Sequence, residues 1–411
     1  YFNFFSACYR DFMKIIHTSD WHLGQEFYSY DRTEEHEAFL QQLENIVAIE
    51  QPDALVISGD IYHNATPSNS VMKLFNDHLD EIRKACPSMQ IIIIAGNHDS
   101  ASRLEIFASA WRHLNVHVIG RIEKKPEGII NFKRHIIPIK DKGYIVAIPH
   151  VFPQNYPLLE ENTPRELRQV LFLKTMNQFV KEINTQHLPV VVAAHMAITG
   201  SEMKGHDLSR GGMDFTDIES FGIDFDYLAL GHIHCPQNIQ NAKARYCGTP
   251  IPVSFDETYP HSVSIVTLTK DETEPIIRTI PIHNPWPLHT FPKEALPFED
   301  AIEVLSNLPS DEPMYIRLRV HLESIAPANA LERAYAVVKN KKLRFCCFKW
   351  EKDDLGKNTE HAWFDIEQMK QLSPVEIAEL YHHDEFGEEL DGTLKNMLTS
   401  IEQKLKEKEE E

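Results

Sequence analysis

The stretch "HTSDWHLGQ", residues 17–25, closes a short run (Lys14, Ile15, Ile16) with a carboxylate, Asp20, and an imidazole, His22, two residues apart. Taken singly, such a triplet is better explained by a solvated loop with an incidental histidine than by a metal site. What decides between them is whether the chain repeats the device, and it does. "ALVISGD" (54–60) ends in Asp60, and "IIIIAGNHD" (91–99) ends in Asn97, His98 and Asp99. "VVVAAH" (190–195) ends in His195, and "YLALGHIH" (227–234) ends in His232 and His234. Open α/β sheets gather their chemistry at the carboxyl ends of strands, where the loops converge. Five strands that each deliver oxygen or imidazole donors to that edge read as one site.

The donor types narrow the metal. Carboxylate, amide oxygen and imidazole together suit Mn²⁺, Fe²⁺ or Zn²⁺, whereas an all-oxygen set would suit Ca²⁺ or Mg²⁺. The donors are too many for one tetrahedral ion but fit two ions sharing a carboxylate. Such a pair clamps the attacking and leaving oxygens of an in-line phosphoryl displacement.

The rest of the chain sets the frame. Its 411 residues, 42% apolar and 25% charged, are ordinary for a globular protein of two or three domains. No run approaches the ~18 apolar residues of a membrane span. The net charge of −20 does not advertise nucleic-acid binding, although twelve acidic and four basic residues of that balance fall in 371–411. Any DNA contact elsewhere would need local basic groups or bound cations. The six cysteines form no C-x-x-C pair or regular framework, which fits a reducing cytosol. Residues 1–12 read as an upstream segment, with Met13 the expected start.

Strand-like runs at 14–18, 54–58 and 90–95 alternate with helical spacing in Phe39, Leu40, Leu43, Ile46 and Val47, and again in Val71, Leu74, Phe75, Leu79 and Ile82. This alternation predicts a mainly parallel sheet with helices on both faces. Further strands are expected at 129–137, 144–148, 189–195, 226–232, 262–269 and 276–282, with helices at 102–113 and 164–185. "HNPWPLHTFP" (283–292), with three prolines, reads as a linker. A small α/β unit follows: helix 298–307, strand 314–321, helix 327–340 and strand 343–350. A helical, acidic tail runs from about 373. Leu355-Gly356-Lys357-Asn358 lacks the glycine and Ser/Thr positions of a phosphate-binding loop.

D-x-H, G-D, G-N-H-D, a lone His and G-H-x-H, in this order, resemble the calcineurin-like metallophosphoesterases. "HTSDWHLGQEFYSYDR" (17–32) and "YCGTPIPVSFDE" (246–257) are more specifically similar to the nuclease subunits of bacterial SbcCD double-strand-break repair complexes. The likeness is strong over 13–285 and weaker beyond. It implies a sandwich of β-sheets flanked by helices, then an α/β capping, DNA-binding domain (286–370) and a helical tail (371–411) that binds the SbcC ATPase. It also implies an ATP-regulated DNA exonuclease and endonuclease, acting on DNA ends and hairpins with two divalent ions, Mn²⁺ by family habit. Asp20, His22 and His234 would hold one ion and Asn97, His195 and His232 the other, with Asp60 bridging. His98 would be the general acid, because histidine can hold a proton near neutrality. Asp99 would orient His98 or cap the following helix. His63, three residues past Asp60, is either a substrate-positioning group or a solvated loop residue.

Lys204, His206 and Arg210 sit in the loop "SEMKGHDLSRGG" (201–212), which could meet a phosphate backbone or simply be a surface loop. A homodimer is expected through 68–85 and 102–113, which carry Phe75, Leu79, Phe107 and Trp111. In the tail, Leu390, Leu394, Met397, Leu398, Ile401 and Leu405 form an apolar stripe, fitted either to a partner groove or to the capping domain. The expected setting is cytoplasmic and nucleoid-associated, with no membrane contact. The competing activity is a phosphatase or other phosphodiesterase on the same fold. Ser/Thr phosphatases carry GDxxDRG and GNHE where this chain has "GDIYHNA" and "GNHD". A binding module that had lost catalysis would be expected to have lost ligands, and here all are present.

Overall fold

The computed structural model describes residues 12–351, apart from 128, 153–154, 205–214, 270–271 and 323–325, together with scattered positions between 375 and 399. The chain falls into two units, Tyr1–Lys352 and Asp353–Glu411. Most of the expected tail helix, and both His206 and Arg210, lie outside the described residues. Of the tail's apolar stripe, the described Leu394 and Met397 are exposed.

The first unit is built on two six-stranded sheets. In one, the order is Ile276–Pro281, Ser262–Thr269, Phe12–Thr18, Ala54–Ser58, Gln90–Ile94, Val116–Ile119. The last four strands run parallel, and the first two pair antiparallel at one edge. In the other, the order is Gln237–Asn238, Ala244–Tyr246, Tyr227–Gly231, Val190–His195, Gly143–Ile148, Ile136–Ile139. Its four inner strands are parallel and its two edges antiparallel.

The continuous apolar runs follow from burial of both faces of each sheet. Successive side chains point to opposite faces, so each run divides by twos. Ile15, Val56, Ile92 and Ile94 join Ile145, Ala147, Val191, Ala193 and Ala229 in a core between the sheets. Ile16, Leu55, Ile57, Ile91 and Ile93 face outward, onto Phe39, Leu43 and Val47 of helix Thr33–Glu50 and Phe75, Leu79 and Ile82 of helix Asn69–Ala85. Val146, Val192 and Leu228 face helix Arg168–Ile183 through Phe172, Leu173 and Met176. Alternation alone suggested one sheet with helices on both faces. The molecule instead has two sheets back to back, each with helices on its outer face, the sandwich that the family resemblance implied.

Three local expectations change. The strand expected at 129–137 is confined to Ile136–Ile139, because residues 132–135 form a 3-10 turn and the His135 Nδ1–H donates to the Ala147 carbonyl at 2.8 Å. The helix expected at 102–113 breaks into Ala101–Leu104, a 3-10 turn at Glu105–Phe107 and Ala108–Arg112. At the break, the Glu105 carboxylate accepts from the Gly120 N–H at 2.9 Å and from Arg121 at 2.7 Å.

The third concerns the linker. Its latter part is a strand, Leu288–Pro297, at the edge of a three-stranded parallel sheet with Met314–His321 and Leu343–Glu351. Proline cannot donate to a ladder, but an edge strand tolerates it. The pairing is irregular between Phe291 and Leu296, around Pro292. Helices Phe298–Asn307 and Ala330–Val338 cover this sheet through Leu305, Ala334 and Val338.

Candidate metal centre

Four strands of the two sheets point their carboxyl ends at one place, and a fifth joins them through the turn after Thr18. Asp20 and His22 leave the strand Phe12–Thr18, Asp60 follows Ala54–Ser58, and Asn97 and His98 follow Gln90–Ile94. His195 ends its strand, and His232 and His234 follow Tyr227–Gly231. The turns are strained where these side chains emerge. Asp20, His22, Asp60 and His232 all have positive φ, at 54°, 45°, 52° and 99°, a conformation non-glycine residues adopt only where the surroundings enforce it.

The glycines of the motifs are required by close approach. A Cβ at Gly96 would lie 2.1 Å from Asp60 Oδ1, and one at Gly231 would lie 2.0 Å from the Ser58 carbonyl oxygen. A Cβ at Gly59, itself at φ 92°, would meet His195 Nδ1 at 2.3 Å.

The side chains so placed meet as two groups with Asp60 between them. Asn97 Oδ1 is 2.9 Å from His195 Nε2 and 3.0 Å from His232 Nδ1. His22 Nε2 is 3.3 Å from His234 Nε2. Asp60 Oδ2 is 3.4 Å from His195 Nε2 and 3.9 Å from His22 Nε2. Asp20 is fully buried and accepts from the His232 backbone N–H at 3.0 Å and from the Ser19 hydroxyl at 2.5 Å.

The outer nitrogens are engaged away from the centre. His195 Nδ1–H donates to the Ser58 carbonyl at 2.8 Å, and His234 Nδ1–H donates to Glu257 Oε1 at 3.0 Å. With the outer nitrogen engaged as donor, the inner Nε2 is the atom that would give a lone pair to a bound ion, the arrangement that outer partners impose on metal-bound histidine. The inner atoms of His195, Asn97 and Asp60 therefore converge. That donor set fits divalent cations.

The electrostatics agree. Burial lowers His22 well below the ordinary imidazole range. Burial would also lower His195, but the Asp60 and Asp20 carboxylates outweigh it and hold His195 up at about 9 in the ion-free protein. Asp20 is raised, mainly by burial. Asp60 is held well below the usual carboxylate range, since His195, His22 and His98 overcome the opposing effect of burial. A centre that pulls positive charge onto a histidine in this way is one a cation would occupy instead.

His98 stands beside the centre, its ring 4.8 Å from that of His22. Its backbone N–H donates to Asp60 Oδ1 at 2.9 Å and its Nδ1–H to the His63 carbonyl at 2.8 Å, which leaves Nε2 on the other side of the ring. His63 is also at the site, its ring 5.5 Å from His22 and stacked at 5.7 Å on His98. Asp99 ties the loops together: its carboxylate accepts from the N–H groups of Ile61, Tyr62 and Gly96 at 3.1, 3.0 and 2.9 Å. The position that caps helix Ala101–Leu104 is Ser100. Burial, then the nearby Asp60 charge, lift Asp99 to about 6. Lys204 is exposed at the last described position before 205–214.

Comparison with known proteins places this geometry. Residues 13–236 match the calcineurin-like phosphoesterase family. SbcD, the D chain of the nuclease SbcCD, from Rhodobacter capsulatus is 32% identical over 72% of this chain and 76% of its own length. SbcD from Escherichia coli K12 is 29% identical over 66% of this chain and 70% of its own, and that of Bacillus subtilis 30% identical over 62% and 66%. The chain belongs to the SbcD family of calcineurin-like phosphoesterases. At much greater distance its structure resembles a dimetal phosphatase from Danio rerio, at 12% identity and a TM-score of 0.34, over 65% of this chain and 98% of that one.

Two residues at this SbcD-type centre were not among the expected site residues. His150 follows the strand Gly143–Ile148 as the ligands follow theirs, and its ring lies 5.9 Å from His195 and 6.3 Å from His232, stacked on the latter. Placing that strand in the same sheet as His195 is the step that would have found it. Glu257 ends "YCGTPIPVSFDE", yet only the fold shows that it reaches His234.

Proposed function

We infer that this chain is a two-metal phosphodiester hydrolase, a metal-dependent nuclease of the SbcCD type. The observation that carries the reading is Asp60, whose one carboxylate oxygen faces His195 on one side and His22 on the other. In this reading Asp20, His22 and His234 hold one ion, Asn97, His195 and His232 the second, and Asp60 both. Bound there, divalent ions, most suitably Mn²⁺, would activate a water near neutral pH and neutralise charge on the phosphoryl oxygens.

The protein's own groups do the rest. The Ser58 carbonyl and Glu257 keep His195 and His234 in the tautomer that presents Nε2 inward. The Asp60 contact to the His98 N–H and the His63 carbonyl fix the His98 ring, whose Nε2 gives a proton to the departing sugar oxygen. Asp99 holds the two loops that carry Asp60 and His98, and His63, beside both, steadies the scissile phosphate. The segment 201–212, with Lys204, His206 and Arg210, would supply cations for the DNA backbone.

The substrate is DNA, at ends and hairpins, cut by exonuclease and endonuclease action. Residues 13–285 form the nuclease domain, 286–370 the capping domain, and 371–411 a tail that binds SbcC and brings ATP control. Two chains pair through the 68–85 and 102–113 region. Phe75 and Leu79 are buried in the core and Trp111 packs against it, so the contact falls to the exposed Ile106 and Phe107. Among the described residues no helix is long and apolar enough to cross a membrane, and all five described cysteines are free thiols. A cytoplasmic, nucleoid-associated setting suits the free thiols.

Cleavage of end-labelled duplex and hairpin DNA with Mn²⁺, with and without SbcC and ATP, tests the reading against p-nitrophenyl phosphate esters. DNA cut at catalytic protein concentrations supports it. Turnover of the esters alone would assign the chain to the phosphatase alternative.

A further inference from the structure

We propose that Glu257 is a positioning residue for the ion held by Asp20, His22 and His234, and that the C-terminal α/β module holds Glu257 in place through Arg317. The proposal rests on the two-metal reading above. Glu257 is buried and its two oxygens are committed differently. Oε1 accepts from His234 Nδ1–H at 3.0 Å, while Oε2 accepts from the Thr249 hydroxyl at 2.7 Å and the Val253 N–H at 3.3 Å. A carboxylate anchored on its far side is a stiff support for the imidazole on its near side. It fixes the tautomer and the ring angle and raises the basicity of Nε2. His195, whose inner nitrogen is also Nε2, has an uncharged carbonyl in this role, whereas His234 has a carboxylate.

The loop that carries Glu257 is gripped from the other direction. Arg317, on strand Met314–His321 of the module, donates to Asp256 Oδ1 at 2.9 Å and lies 5.1 Å over the Phe255 ring. Phe255 packs with Phe27, Tyr315 and Cys347, so the segment beside Glu257 is part of a core shared between the module and the nuclease sheets. The same loop is tied a second time: the Gln25 amide donates to the Val253 carbonyl at 3.2 Å, and Gln25 Oε1 accepts from buried Arg32 at 2.5 Å. Arg32 pairs with buried Glu35, which accepts from the module's Tyr315 hydroxyl at 2.6 Å. Both routes from the module end on the loop 253–257, and that loop ends on His234. A shift of the module would therefore move the support of one ion and spare the Asn97, His195 and His232 group.

Titration of the ion-free full-length protein with Mn²⁺, followed by electron paramagnetic resonance of the free ion, tests this for wild type, Glu257→Gln, Arg317→Ala and the double variant. Wild type is expected to take up two ions. Glu257→Gln should keep one at wild-type affinity and bind the other about 10–100-fold more weakly, the range seen when such outer partners are removed. Arg317→Ala should weaken the same ion by a smaller factor. The double variant should be no weaker than Glu257→Gln, because both changes act through one carboxylate. The melting temperature of each ion-free variant separates misfolding from loss of support, and Arg317, at the loop's outer side, provides an arm that does not disturb the buried cluster. Two ions at wild-type affinity in Glu257→Gln would overturn the role of Glu257. Independent, additive losses in the double variant would overturn the link to the module. Uptake of fewer than two ions by wild type would instead sink the two-metal reading itself.

Discussion

His22 Nε2 and His234 Nε2 lie 3.3 Å apart. That spacing leaves the two imidazole nitrogens close enough to serve one divalent ion. His22 Nδ1 is buried and finds no hydrogen-bond partner among the described residues, so the ring is placed by packing and by what its Nε2 faces. The pair comes from opposite sheets, one residue from the turn after Phe12–Thr18 and the other from the turn after Tyr227–Gly231, and nothing but the fold brings them together.

Asp60 faces both groups, so its loss should weaken both ions together. Asp60→Ala is expected to retain fewer than one ion per chain by elemental analysis after desalting and to have no measurable nuclease activity. Retention of two ions would show that the carboxylate does not bridge.

His98 makes its contacts through its backbone N–H and Nδ1, outside the two ligand groups. His98→Asn should leave ion stoichiometry unchanged and lower the cleavage rate by about 10²–10⁴-fold, the loss expected for a general acid. Near-wild-type cleavage by a fully loaded variant would remove His98 from that role.

Gly96 has no room for a methyl group, since a Cβ would lie 2.1 Å from Asp60 Oδ1 and 2.4 Å from the Asp60 nitrogen. Gly96→Ala should therefore displace Asp60, lower ion affinity and cost about 1–3 kcal/mol of stability through overpacking. Denaturant unfolding of the ion-free protein measures the second effect separately from the first. A stability equal to wild type would mean the loop yields more easily than its contacts suggest.

Acid should destabilise the protein well above the carboxylate range. Burial lowers His17 to about 3 and His36 to about 3, whereas the unfolded chain holds these groups near 6.5. Between those values the unfolded state binds more protons, so the contribution of these two groups is complete above about 6.5 and declines as pH falls toward 3. Each such histidine adds a slope of up to about 1.4 kcal/mol per pH unit in that window. Chemical unfolding of ion-free His36→Gln from pH 7 to pH 5 should show a shallower decline than wild type. An identical slope would mean His36 is not held neutral.

The tail carries a separate expectation. Removing residues beyond about 370 should abolish co-purification with SbcC while leaving Mn²⁺-dependent nicking of small substrates. Full-stoichiometry co-purification of the truncated protein would place the contact elsewhere.

What was legible in the sequence follows from how each feature is encoded. The candidate ligands were legible because each sits at or just past the end of an apolar run that forms a strand, as Asp60 does after "ALVIS" and His195 at the end of "VVVAAH". The division of those runs between an inner and an outer face was not, because a strand buried on both sides shows no alternation. Ile92 and Ile93 look alike in sequence and belong to different cores. The strand Leu288–Pro297 was hidden by prolines that only its edge position excuses. Glu257 was unreadable for another reason: its partner, His234, lies 23 residues earlier, and no local periodicity joins a loop carboxylate to an imidazole at that separation.

The most direct test of the two-ion centre is the anomalous scattering of Mn²⁺ in crystals of the full-length protein. Two peaks are expected, one among Asp20, His22 and His234 and one among Asn97, His195 and His232, with Asp60 between them. A single peak, or peaks away from these residues, would contradict the assignment.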